Sequence, residues 1–121
     1  MERVTGIGGV FFRGHDPGML ARWYEEHLGV VAVGDSYDDP VWTQDRGPTV
    51  IAAFGPEHWD SAHLGPSGWG INFRVDDIDA MVRQLRKDGV EVDVDLEVYP
   101  NGRFAQLADP EGNPIQLWEP K

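Results

Sequence analysis

His58 and His63 stand five residues apart and close to Glu57 and Asp60, so two imidazoles and two carboxylates share one short stretch. Such a set can ligate a divalent metal or pass a proton near neutral pH if the segment folds over a groove. In an exposed loop the same residues are simply solvated, which is the commoner outcome. The remaining histidines read as structural or solvated: His15 precedes a helix cap, and His27 falls in a last helical turn, where positive charge suits the helix dipole. A second acidic constellation, Glu91, Asp93, Asp95 and Glu97, alternates along one strand face. Neighbouring carboxylates there sit about 7 Å apart, too far to share one metal without bending. A solvated edge strand, its charges discouraging aggregation, is the better reading.

Recognition by stacking is the other available chemistry. The chain holds five tryptophans and five phenylalanines in 121 residues. Trp42, Trp59, Trp69 and Trp118 lie on segments able to border a cavity, with Phe11 inside it, while Arg13, Asn72, Arg74 and Gln116 would supply direction. Aromatic walls with few polar groups suit a planar or hydrophobic small molecule, with cation–π contact if that molecule is charged. Filling the core is the competing use for each tryptophan.

What must position these residues is an internal repeat. Gly9-Val10-Phe11-Phe12-Arg13-Gly14-His15-Asp16 aligns with Gly70-Ile71-Asn72-Phe73-Arg74-Val75-Asp76-Asp77 at an offset of 61 residues. Each copy enters an amphipathic segment that stops at a glycine, Gly29 or Gly89, the second copy being one residue shorter. Strands are expected over 4–12, 30–33, 41–44 and 49–54, and again over 71–75, 90–98, 103–108 and 114–118. Asp16-Pro17 predicts one helix start, and Asp76 or Asp77 the other. In the second helix Ile78, Met81, Val82 and Leu85 form the apolar stripe, and Asp79 is placed to pair with Arg83 at i,i+4. Asp109-Pro110-Glu111-Gly112-Asn113 reads as turn chemistry within a final hairpin. The order is βαβββ twice: module one at about 4–54, a linker at 55–68, and module two at about 69–119, in one domain of residues 1–121.

The totals bound the partners. Lys+Arg 10 against Asp+Glu 21 gives a formal charge of −11, a field that repels phosphate backbones and favours cationic ligands. No nucleic acid is therefore expected. No apolar run approaches a membrane span and no signal-peptide pattern opens the chain, so neither a membrane partner nor export is expected. The lack of cysteine excludes disulfides, thiolate metal sites and cysteine nucleophiles, and agrees with a cytoplasmic location.

The repeat, with Ile7-Gly8-Gly9-Val10-Phe11, Trp23-Tyr24-Glu25-Glu26-His27-Leu28-Gly29, Ile71 to Asp79, and above all Gly102-Arg103-Phe104 through Asp109-Pro110-Glu111-Gly112-Asn113 to Pro120, resembles the glyoxalase / bleomycin-resistance / extradiol-dioxygenase (vicinal oxygen chelate) superfamily. The resemblance implies an α+β fold: two βαβββ modules forming a curved, half-open eight-stranded barrel with helices on the outer face. With Val10, Phe12, Ile71, Phe73, Ile115 and Leu117 under the helices, alternation turns Gly9, Phe11, Arg13, Gly70, Asn72, Arg74, Gln116 and Trp118 toward the cavity. Metal-using relatives place His or Glu on strands one, four, five and eight. Those positions match Gly9, a residue within 49–54, Gly70 and Gln116, and residues 49–54 hold no His, Asp or Glu. Glycine offers no donor and an amide is a poor divalent-cation ligand. We therefore expect no metal and no cofactor. The function implied is metal-free small-molecule binding of the drug-sequestering kind, in a homodimer. The alternative is a lyase, isomerase or dioxygenase-like enzyme using noncanonical metal ligands or metal-free acid/base chemistry.

Overall fold

The computed structural model describes residues 1–31, 33–34, 36–59 and 64–121. His63 and Asp60, half of the histidine constellation, lie outside the described residues. The fold is mixed α+β, with one open four-stranded sheet of order β1-β4-β3-β2. Its strands are β1 (Ile71–Arg74), β2 (Asp93–Val94), β3 (Gly102–Ala108) and β4 (Pro114–Pro120). The helices are α1 (Pro17–Leu28), the single-turn α2 (Pro56–Trp59) and α3 (Ile78–Lys87). No described helix is long and apolar enough to cross a membrane.

Local sequence explains the helix limits. Asp16 caps α1 by accepting from the Met19 amide, Pro17 supplies the first turn, and Gly29 closes it in the left-handed conformation. Asp77, rather than Asp76, caps α3 through the Ala80 amide. Glu119 of β4 adds a second cap, its carboxylate accepting from the Ile78 amide at 2.9 Å. An anion at that end also suits the positive pole of the helix. Along α3, Ile78, Val82 and Leu85 are buried as the stripe requires. Asp79, however, bonds Arg103 across the gap to β3, Nη1 to Oδ2 at 2.9 Å, and not Arg83. The charge-assisted bond to Arg103 holds the Asp79 carboxyl below the usual carboxylate range.

The last three strands run β2-β3-β4 as antiparallel neighbours, and β1 returns parallel beside β4. Register puts Ala105 opposite Leu117, Leu107 opposite Ile115, and Phe73 beside Leu117, all on the face that α3 covers. These residues join Leu20 and Tyr24 of α1 and the α3 stripe in one core. Each fully buried Ile or Leu contributes about 1.5–3 kcal/mol of transfer free energy. At the start of β3 the backbone of Gly102 has φ 132, and a Cβ there would collide with the Glu119 carbonyl. Only glycine lets the Tyr99–Gly102 bridge lie so close against β4.

Two strand expectations are corrected. Among the described residues, segments 4–12, 30–33, 41–44 and 49–54 form no strand, and the sheet has four strands and is not closed. Strands need ladder neighbours and a buried face, and propensity alone does not order them. Here Val4, Val10, Phe11, Val50 and Ile51 remain exposed. Likewise the alternating run 90–98 pairs as a strand only at Asp93–Val94. Val92 is buried, but Leu96 and Val98 turn to solvent at 88% and 59% exposure, so the periodic apolar set leaves the core halfway along.

The two halves of the chain meet at the β3–β4 turn. Asp109 is 4% exposed and accepts from the Glu111 and Asn113 amides, the Asn113 side chain and, at 2.7 Å, the Tyr24 hydroxyl of α1. Glu111 then reaches the amides of His15 and Asp16 at 2.7 and 2.9 Å. Burial first, and the bond to Asp109 second, push the Tyr24 phenol well above its ordinary 10.0. Tyr24→Phe should lower the unfolding free energy by about 2 kcal/mol in urea at neutral pH, the cost of an unmade hydrogen bond to a buried carboxylate. A raised folded value makes this contribution complete below the ordinary phenol range and lost as pH climbs through and beyond it. The wild-type chain should therefore lose stability more steeply above about pH 10 than Tyr24→Phe, as read by urea midpoints across that range.

Candidate functional site

The sheet face opposite α3 carries the candidate site. Alternation and register place Asn72 and Arg74 of β1 beside Gln116 and Trp118 of β4, with Gln106 opposite Gln116 and Phe104 opposite Trp118 on β3. Asn72 donates its side-chain amide to Gln116 Oε1 at 2.7 Å. Arg74 Nη2 donates to the Asp45 carbonyl at 3.1 Å, and Gly47 lies directly against the same guanidinium. Residues 45–47 thus bound the site at the Arg74 end. In the same row as Arg74, across β4 and β3, the rings of Trp118 and Phe104 lie parallel, 5° apart in plane with centroids at 6.4 Å, and Tyr99 meets Phe104 edge-on. Trp118 is buried, 8% exposed, and fixed by its Nε1 bond to the Asn101 carbonyl at 2.9 Å. Tyr99 is held by Asp95 at 2.7 Å, a bond that raises its phenol above the ordinary range.

The face is therefore an aromatic platform next to an amide pair and a tethered guanidinium. It can stack a planar ring and offer N–H donors to acceptor atoms on the ring's edge. Phe104 and Gln106 were not among the residues that the sequence singled out. The signal for them was present in the hairpin, because a turn centred on Asp109–Asn113 fixes Phe104 opposite Trp118.

Other candidates lie elsewhere. Trp42 packs against Phe73, and Trp69 against Phe12, whose ring also meets Tyr24; Phe73 and Tyr24 are residues of the helix-covered side. Trp59 sits on α2, tilted against Phe54 and donating to the Gly65 carbonyl. Phe11 is 96% exposed and Arg13 is also exposed, and among the described residues neither has a hydrogen bond or ring contact with the face. His58 pairs with Glu57 at 3.7 Å in an exposed position, while His27 faces Asp88 at 3.4 Å. Two clefts, of about 980 and 430 Å³, flank the β2 edge, and of this face only Gln106 lines either of them.

The positions matched to metal ligands do not supply a donor set. Gly70 precedes β1 on the same face as Asn72, and the space a Cβ would occupy there is filled by the Leu64 side chain. Gln116 is a neutral amide whose oxygen already accepts from Asn72. Among the described residues, no group of three or more His, Asp or Glu is arranged to hold a metal ion. These residues do not fit a divalent cation, which takes carboxylate, imidazole or several oxygen ligands.

Among curated proteins none matches the sequence. Solved structures do. TnmS3, an antibiotic binding protein from Streptomyces sp. CB03234, is 25% identical over 88% of each chain, with a TM-score of 0.55. A member of the glyoxalase/bleomycin resistance protein/dioxygenase superfamily from Sphaerobacter thermophilus DSM 20745 is 29% identical over 86% of this chain and 88% of that one, at 0.53. A glyoxalase/bleomycin resistance protein from Streptomyces sp. CB03234 reaches 42% identity, but over 41% of this chain and 43% of its own, with a TM-score of 0.38. That last match spans less than half of the relative and carries no weight here. A family model covers residues 6–117, a span that includes α1, the helix-capping aspartates and the turn that fastens them to the sheet. The chain belongs to the Glyoxalase/Bleomycin resistance protein/Dioxygenase superfamily.

Proposed function

We propose that this protein is a metal-free binder of a planar aromatic small molecule, held on the sheet face opposite α3. The observation that carries the reading is the row Arg74, Trp118 and Phe104 across β1, β4 and β3, with the Asn72–Gln116 amide pair in the next row along the same face. Stacking on the half-buried Phe104, which the buried Trp118 backs, supplies affinity, and the amide and guanidinium N–H groups supply orientation. The net charge of −11 favours a ligand with positive charge, through steering more than contact energy. Likeness to an antibiotic binding protein supports a small-molecule ligand.

The proposal includes a full cup: residues 1–121 as one domain of two βαβββ modules in an eight-stranded half-barrel, formed in a cytoplasmic homodimer. Val4, Val10, Phe11, Val50 and Ile51 support it, because so much exposed apolar surface in the first half calls for a covering partner. Phe11, Arg13, Trp42, Trp59 and Trp69 would reach the ligand only in that arrangement. Light scattering at micromolar concentration should give twice the chain mass of 13.5 kDa, and a monomer mass would contradict the dimer.

Binding and metal content are tested separately. Elemental analysis of the purified protein, before and after addition of divalent ions, should find well under one metal per chain; a tightly held stoichiometric ion would contradict the proposal. Titration with planar aromatic compounds, with and without a fixed positive charge, should quench tryptophan fluorescence without chemical change to the compound. Phe104→Ala should weaken the binding of the best compound by about tenfold or more, the scale of one lost aromatic contact of 1–3 kcal/mol. Turnover abolished by Arg74→Ala or Gln116→Ala would instead establish an enzyme.

A further inference from the structure

A separate site lies on the other side of the sheet edge. Between α3 and β2 runs the cleft of about 430 Å³, whose walls carry Arg83, Arg86 and Arg103. The whole chain has only 10 Lys and Arg against 21 Asp and Glu, yet three of those cations converge here. We propose that this cleft binds an anion carried on an apolar body, a small molecule with a carboxylate or phosphate head and a hydrocarbon part.

Each guanidinium has a distinct standing. Arg86 is pinned by Nη2 donating to the Val92 carbonyl at 2.8 Å, and Arg103 by Nη1 donating to Asp79 at 2.9 Å. Pinning leaves the remaining N–H groups of both directed at fixed positions, which lowers the ordering cost of gripping an anion. Arg83 stands one turn before Arg86 on the same helix face, so the two heads can converge. Among the described residues it makes no hydrogen bond or ion pair, because Asp79, its i,i+4 neighbour, is taken by Arg103. The cleft lining itself sets the three cations against Asp79 and Asp93, with Asp77 and Glu119 acting on Arg103 from outside it.

The apolar half of the ligand is read from the walls. Val82 is buried at the base, Val94 is half-buried beside it, and Leu96 stands at the lip, 88% exposed. A bare inorganic anion would leave this surface wet, whereas an alkyl or aryl chain covers it at about 25 cal/mol per Å². The field of the acidic chain opposes approach from a distance, but at physiological salt it is screened beyond about 8 Å. Contact with the three guanidiniums decides affinity.

The test uses octanoate and octyl phosphate as the two headgroups, with inorganic phosphate and octanol as controls, followed by NMR of the arginine side-chain N–H signals and the Leu96 methyls. The expected result is saturable shifts at Arg83, Arg86, Arg103 and Leu96 with the charged amphiphiles. The tighter of the two identifies the headgroup. Inorganic phosphate should bind at least about tenfold more weakly, and octanol should leave the arginine signals in place. Arg83→Gln should weaken the tighter probe by about tenfold, one charge-assisted hydrogen bond, with thermal unfolding unchanged. Absent shifts at millimolar probe, an unchanged affinity in Arg83→Gln, or perturbation confined to Asn72, Gln116 and Trp118 would overturn the proposal. The last outcome would leave the ligand face proposed above intact.

Discussion

The carboxylate of Asp109 is the point on which the arrangement of this chain depends. It closes its own turn, accepting amides from Glu111 and Asn113, and it accepts the hydroxyl of Tyr24 from a helix 85 residues earlier in the chain. A buried carboxylate is costly unless its lone pairs are used, and here four donors use them. The same turn therefore performs two tasks. It sets the β3–β4 register, and it fastens α1 over the covered face with help from Glu111 at His15 and Asp16.

Register is what turns this fastening into a site. Once β3 and β4 are paired about that turn, Leu107, Ala105, Ile115 and Leu117 must lie under the helices. Their alternate neighbours Phe104, Gln106, Gln116 and Trp118 must then lie on the opposite face. Slipping by one residue would exchange the two sets. The parallel strand β1 adds Asn72 and Arg74 to the open side, so a single turn dictates which chemistry the face displays. That chemistry is amide, guanidinium and aromatic, with glycine before β1 and glutamine on β4 where metal-using relatives are expected to carry ligands.

Much of this was legible in the sequence wherever local physics decides. Asp16-Pro17 and Gly29 bounded α1, and the 3.6-residue stripe of α3 chose its buried side, because caps and periodicity act within a few residues. The second half showed its βαβββ order for the same reason, and four of the candidate residues, Asn72, Arg74, Gln116 and Trp118, share a face as alternation demands. What sequence could not reveal depended on contacts distant along the chain. Asp79 chose Arg103 over Arg83 because β3 passes beside α3, which no helical spacing encodes. Trp42 and Trp69 went to Phe73 and Phe12, since a large ring satisfies a core or a cavity equally well. The first-half strands, read from β-rich composition, lack ladder partners among the described residues, and composition does not supply a neighbour.

The proposed function rests on Gln116, at a position where metal-using relatives are expected to carry a ligand, being engaged by Asn72 in an amide pair on a face proposed to bind by stacking and hydrogen bonding. The most direct measurement follows the side-chain amide NMR signals of Asn72 and Gln116 while Mn²⁺, a paramagnetic ion, is added to one equivalent, and then while an aromatic ligand that quenches tryptophan fluorescence is added. The account predicts that Mn²⁺ leaves both signals sharp and that the aromatic ligand shifts them together with the Trp118 indole. Selective broadening of the Asn72 and Gln116 signals at one equivalent of Mn²⁺ would contradict it.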